Sequence, residues 1–181
     1  MSKRDLKKYL NELTKEQLEE QILELYEKFP PVKVYYNFVF NPKEETLLQE
    51  CKLKISQEYF PLQTKGKRKK PKMRRSVAQK YIKYFILLGV DSFVIADVML
   101  YNIEIAQAFA SENIIRQDLF YKSMHNSFEQ ALKFIISNGI ISEFKSRLIA
   151  VSDEASNQKW MNRTDFKSSI ELLDNEKDFY N

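Results

Sequence analysis

The chain has one histidine, His125, and it is the first candidate for acid–base or metal chemistry. On a helix, Tyr121 lies one turn before it, Glu129 one turn after and Asp118 two turns before. That array could hold a metal ion or orient the imidazole as a base. The plainer assignment is a boundary histidine hydrogen-bonded to a neighbouring carboxylate, which any helix surface offers, and it is the one favoured. Asp97 and Glu104 form a second candidate, two turns apart and about 10 Å along a helix axis. Paired carboxylates in a helical core can bind divalent metals, but the di-iron pattern needs Glu-x-x-His on two helices, and the chain has none. Structural ion pairs with Lys80 or Lys83 of the preceding helix are the expected alternative. Cys51, the single cysteine, excludes an intrachain disulfide and a multi-thiolate site. It falls in the stripe Leu47, Leu48, Cys51, Ile55, Tyr59 and reads as a buried small hydrophobe. No nucleophile elbow, P-loop, GxGxxG, HExxH or CxxC occurs, so no catalytic or metal-binding set and no cofactor is assigned.

The strongest functional signal is residues 65–75, KGKRKKPKMRR, eight of whose eleven residues are Lys or Arg. The whole chain is only +4, so without this stretch it is net negative. Charge so concentrated, beside Gly and Pro and without hydrophobic periodicity, describes a flexible cationic arm that suits a polyanion. Lys65, Lys67, Arg68, Lys69, Lys70, Lys72, Arg74 and Arg75 are the candidate nucleic-acid contacts, continued by Lys80 and Lys83 on the next helix. Stacking on unpaired bases needs aromatic rings, and the run itself has none; Tyr59, Phe60, Tyr81 and Tyr84 flank it. A solvated loop docked on the protein's own acidic surface, an acidic protein partner and a membrane surface are the competing assignments. KRKKPK also has the form of a nuclear localisation signal, a match common by chance in lysine-rich chains.

The elements that must carry these residues are helical. Three glycines and five prolines in 181 residues are too few for a turn-rich β fold. Ser2 caps a first helix and Thr14, with Gln17, a second that Pro30 and Pro31 end. Residues 32–40 (VKVYYNFVF) fit both strand and helix periods; with no second strand in the chain to pair with, helix is predicted. Asn41, Pro42 and Glu44 open a helix running to about Tyr59, with Pro42 at its first position. Ser76 is read as the cap of the next, which Gly89 ends, and Asp91 caps the most apolar helix, over residues 92–110. Residues 119–138 and 142–151 form a last pair. The N-terminus is charged and lacks the apolar region of a signal peptide, and uninterrupted apolar runs fall far short of the ~20 residues that span a bilayer. A cytoplasmic location without membrane insertion is expected.

KRDLKKYLNELTKEQLEEQILELYEKFPPVKVYYNFVFNP, KPKMRRSVAQKYIKYFILLGVD, ADVMLYNIEIAQAF and FYKSMHNSFEQALKFI together resemble an uncharacterised family of small cytosolic proteins of Bacteroidetes-type bacteria, a domain of unknown function. The resemblance covers roughly residues 1–150. It implies a bacterial cytoplasm, which weakens the nuclear-signal reading, and it implies no activity. The expectation is therefore an all-α protein: one bundle or helical-hairpin array of about eight helices over residues 1–151, a basic interhelical loop at 62–75, and a polar, partly helical or disordered tail at 152–181. Its expected role is noncatalytic contact with nucleic-acid phosphates, RNA or ribosome. The alternative is a protein-interaction adaptor that uses the N-terminal hairpin and the aromatic segment 35–40. A metal-dependent enzyme using Asp97, Glu104 or His125 is the third reading.

Overall fold

In the computed structural model, which describes residues 2–63 and 69–176 with side chains to residue 171, the all-α expectation holds. Among the described residues there is no strand, and the helices are α1 (Lys3–Asn11), α2 (Lys15–Lys28), α3 (Pro30–Phe40), α4 (Glu44–Tyr59), α5 (Arg75–Leu88), α6 (Ser92–Glu112), α7 (Asp118–Ser137), α8 (Ile141–Asn157) and α9 (Arg163–Glu176). The chain divides into two compact units, Met1–Lys43 and Glu44–Asn181.

The first unit is set by its caps. Ser2 Oγ accepts from Asp5 N and the Asp5 carboxylate accepts from Ser2 N; Thr14 and Gln17 reciprocate in the same way at α2. Pro30 and Pro31 act twice. Lacking N–H groups, they cannot extend α2, and their fixed φ suits the first turn of α3, so the ambiguous segment is helix from residue 30. The α2–α3 hairpin closes on Tyr36, whose ring lies 6.5 Å from that of Tyr26 and 6.2 Å from that of Phe40. No residue of α1, α2 or α3 is buried.

The second unit is organised around α6, a 21-residue helix long and apolar enough, by length and composition, to cross a membrane. Asp97, Asn102 and Glu104 interrupt its apolar run, which is why counting uninterrupted runs passes over it. In the fold, α4, α5, α7 and α8 pack around it, and Val98, Leu100, Ile103 and Ala106 are fully enclosed. Two starts differ from expectation. α4 begins at Glu44, leaving Pro42 outside it, and α5 begins at Arg75 with Arg74, not Ser76, at the N-cap.

Three helices end alike. Gly89 (φ +71°), Gly139 (φ +70°) and Lys159 (φ +56°) take the left-handed conformation after α5, α7 and α8. In each, the next residue's amide returns to a carbonyl five residues back: Val90 to Phe85, Ile140 to Ile135, Trp160 to Ala155. Each of those following side chains is buried. The first two endings were visible as glycines. The third carries lysine, so α8 runs past 151 and the expected tail boundary falls inside it. Beyond the turn, α9 packs on α7 and α8 and inserts Phe166, whose ring lies 5.0 Å from Phe128 and 5.8 Å from Trp160.

Phe166→Ala should cost about 3–5 kcal/mol in urea unfolding followed by circular dichroism, because the side chain is fully buried. A loss below about 1 kcal/mol would mean that α9 is not part of the cooperative core. Lys159→Gly should instead raise the melting temperature, by about 2–4 °C, since it relieves roughly 1 kcal/mol of left-handed strain. A lowered melting temperature would contradict the turn geometry.

Candidate nucleic-acid interface

The residues with the best claim to reaction chemistry are taken up by the fold. His125 Nε2 lies 3.2 Å from Ser169 Oγ and its ring meets Phe166 edge-on, so its partner comes from α9 and is not a neighbouring carboxylate. Cys51 is fully buried, and burial pushes its thiol up to about 12, far from a thiolate at neutral pH. Among the described residues, no three His, Cys, Asp or Glu side chains gather as a metal site would require.

Asp97 and Glu104 do form ion pairs, with cations other than Lys80 and Lys83. Asp97 accepts from Lys52 Nζ of α4 and from Arg147 Nη1 of α8, both at 2.6 Å, and Arg147 also grips Glu104 through Nε (2.5 Å) and Nη2 (2.7 Å). Burial raises the pKa of Asp97, but the hydrogen bonds from Lys52 and Arg147 outweigh it and leave the carboxyl below its usual range. Lys80 and Lys83 are exposed on the outer side of α5, away from Ala78, Ile82 and Phe85, which face the core. The sequence shows two carboxylates in need of cations; it does not show which distant helices bring them.

Of the basic stretch, Lys65, Lys67 and Arg68 lie outside the described residues. The remainder is not a free arm. The backbone amides of Lys72 and Met73 both donate to the Glu58 carbonyl, at 2.9 and 3.0 Å, while Arg74 donates through Nε (2.9 Å) and Nη2 (2.7 Å) to the two Glu58 carboxylate oxygens. Met73 is left-handed (φ +51°), a conformation that a non-glycine residue holds only when its surroundings fix it. Arg75, at the start of α5, donates to Ser127 Oγ and Gln130 Oε1 on α7. Arg74 and Arg75 thus anchor the stretch to α4 and α7. Lys69, Lys70 and Lys72 stay exposed.

Anchored this way, the stretch walls a concave surface. One groove of about 720 Å³ is lined by Lys54, Gln57, Glu58, Arg74, Ser76, Val77, Lys80, Tyr81 and Tyr84. A second, of about 650 Å³, shares Gln57, Glu58 and Arg74 with it and adds Pro61, Leu62, Lys69, Lys70, Pro71 and Lys72. Lys83, one turn after Lys80, lies outside both linings. Of the flanking aromatics, Tyr59 is buried with its hydroxyl 4.0 Å from Met124 Sδ, and Phe60 lies edge-on to Phe109. Tyr81 and Tyr84 line the groove. Lys54 was not anticipated, because it lies outside the basic run. Its signal was the α4 face on which Lys54, Gln57 and Glu58 recur at i, i+3 and i+4.

The clamp has a definite pH dependence. Hydrogen bonding from Arg74 holds the Glu58 carboxyl below its usual range despite partial burial. A carboxyl depressed on folding stabilises fully above its unfolded pKa and loses that contribution as pH falls through the folded value. Comparing thermal melts of wild type and Glu58→Gln, the stability gap should be constant above about pH 5 and close below about pH 4. A gap that does not change with pH would show that the carboxylate charge does not hold the clamp.

No curated protein and no solved structure matches the chain. Residues 1–174 match a family of unknown function, DUF6155, a span that takes in most of α9 as well as the region of expected resemblance. The chain, with its basic groove between α4 and α5, belongs to the DUF6155 family.

Proposed function

We propose that this protein is a noncatalytic binding protein of the bacterial cytoplasm, without membrane insertion, and that the groove beside Glu58 receives nucleic-acid phosphates, those of RNA or the ribosome. The observation that carries this reading is the set of lysines around one concave surface: Lys54 and Lys80 in one part, Lys69, Lys70 and Lys72 in the other. Among the described residues, Glu58 is the only carboxylate lining it, and Arg74 already neutralises that charge. Cations also crowd the N-terminus of α5, where the helix dipole is positive and the first turn has no acidic residue. This placement costs stability in the free protein and is relieved by a bound polyanion.

A second reading, a protein-interaction adaptor, is favoured by the first unit alone. None of its helical residues is buried, and Leu23, Phe29 and Phe40 expose half or more of their surface. An apolar docking surface of this kind responds little to salt.

Salt therefore separates the two. With five phosphates neutralised, the log–log slope of affinity for RNA against salt should lie between about −3.5 for a single strand and −4.5 for a duplex. Replacing Lys54, Lys69, Lys70, Lys72 and Lys80 with Gln should bring the slope close to zero and leave the circular dichroism melt nearly unchanged, because none of the five is a core residue. RNA affinity retained in the five-lysine variant would sink the proposal. The tagged protein should also retain RNA from its host at low salt and lose it after nuclease treatment.

A further inference from the structure

We propose that the groove selects nucleic acid with unpaired bases, and that Tyr84, supported by Tyr81, is the platform on which a base stacks; this rests on the phosphate-binding reading and narrows its ligand. Tyr81 and Tyr84 sit one turn apart on α5 and line the same groove as Lys54 and Lys80. The Tyr84 ring is tilted by 49° against Phe85 at 6.5 Å, and Phe85 is fully buried. Tyr81 meets Phe85 edge-on at 6.4 Å. The two tyrosines are thus braced by one core ring, while 37 % of Tyr84 stays open to solvent. A braced ring with an open face gives stacking area at small cost in side-chain entropy.

A duplex has no use for such rings, because its base faces are stacked inside. The shape argues the same way. Reading a duplex calls for an element that protrudes into a groove of the nucleic acid, whereas these lysines line a recess in the protein. Leu62, Pro61 and Pro71 lie among Lys69, Lys70 and Lys72 in the adjoining part, and Leu62 is 63 % exposed. Apolar side chains interleaved with cations suit a strand whose phosphates and base faces are both accessible.

The experiment uses the full chain and a fluorescein-labelled oligoribonucleotide of mixed sequence, free of self-complementarity and about twenty nucleotides long, alone and annealed to its full complement, with binding read by fluorescence anisotropy over a salt series. The single strand should bind at least ~10-fold more tightly than the duplex. Tyr84→Ala should weaken single-strand binding by about 10-fold with the salt slope unchanged, because stacking involves no counterion release. Tyr84→Phe, which keeps the ring, should bind as wild type does. Lys69→Gln, Lys70→Gln and Lys72→Gln together should flatten the slope instead. Equal affinity for strand and duplex, each with a steep salt slope, would overturn the inference while leaving the phosphate reading in place, and so would Tyr84→Ala binding as tightly as wild type. Binding of neither probe would overturn both.

Discussion

A carboxylate on an apolar helix must find a cation before that helix can be buried, and α6 carries two. Uncompensated, Asp97 or Glu104 would oppose packing along the whole stripe they share. Lys52 from α4 and Arg147 from α8 resolve this, and in doing so they fix which faces of α4 and α8 meet the central helix. Lys54 follows Lys52 by two residues, about 200° further round α4. With Lys52 turned to Asp97, Lys54 is turned away from the core, on the face that also carries Gln57 and Glu58. Ion pairing inside the second unit and the composition of the groove outside it are thus two faces of one helix orientation.

The groove needs a second constraint, because a basic stretch joining α4 to α5 could sweep a large volume. Glu58 supplies it with one residue. Its backbone carbonyl takes two amides and its side chain takes the Arg74 fork, so Lys72 and Pro71 are held at the end of α4. The hydrogen bonds from Arg75 to Ser127 and Gln130 set the other end against α7. Two arginines are used for position, and the neighbouring lysines, with more flexible and more strongly hydrated heads, are left to the solvent side.

How much of this was legible follows from which signals are local. Caps at Ser2, Thr14 and Asp91, the paired prolines and the glycine stops at 89 and 139 are written within a few residues of the structure they produce, and they could be read. Left-handed turns at Met73 and Lys159 could not, because neither residue type favours that conformation: the Met73 amide is held by the distant Glu58 carbonyl, and Lys159 stands where the other two helix ends carry glycine. The cost was the end of α8 and the place of α9, hence also the partner of His125. At the interface the lysine run was plain, yet its division into anchoring arginines and free lysines depended on Glu58, Ser127 and Gln130, which no spacing rule connects to it. Tyr84 and Tyr59 read alike as flanking aromatics. Only the packing of α4 against α6 buries one and leaves the other at the surface.

Trp160, the single tryptophan, gives the molecule an optical property of its own. The indole is buried in the turn after α8, edge-on to Phe120, Tyr121 and Phe166, and its Nε1 donates to Gln158. Every one of those neighbours belongs to α7, α9 or the turn itself, and none lines the basic groove. Emission from this chromophore is therefore a native reporter of whether α9 is seated, blue-shifted while the indole stays dry and red-shifted once water reaches it. Because none of these ring or hydrogen-bond partners lines the groove, one cuvette could follow the integrity of the core while a labelled ligand reports separately on occupancy.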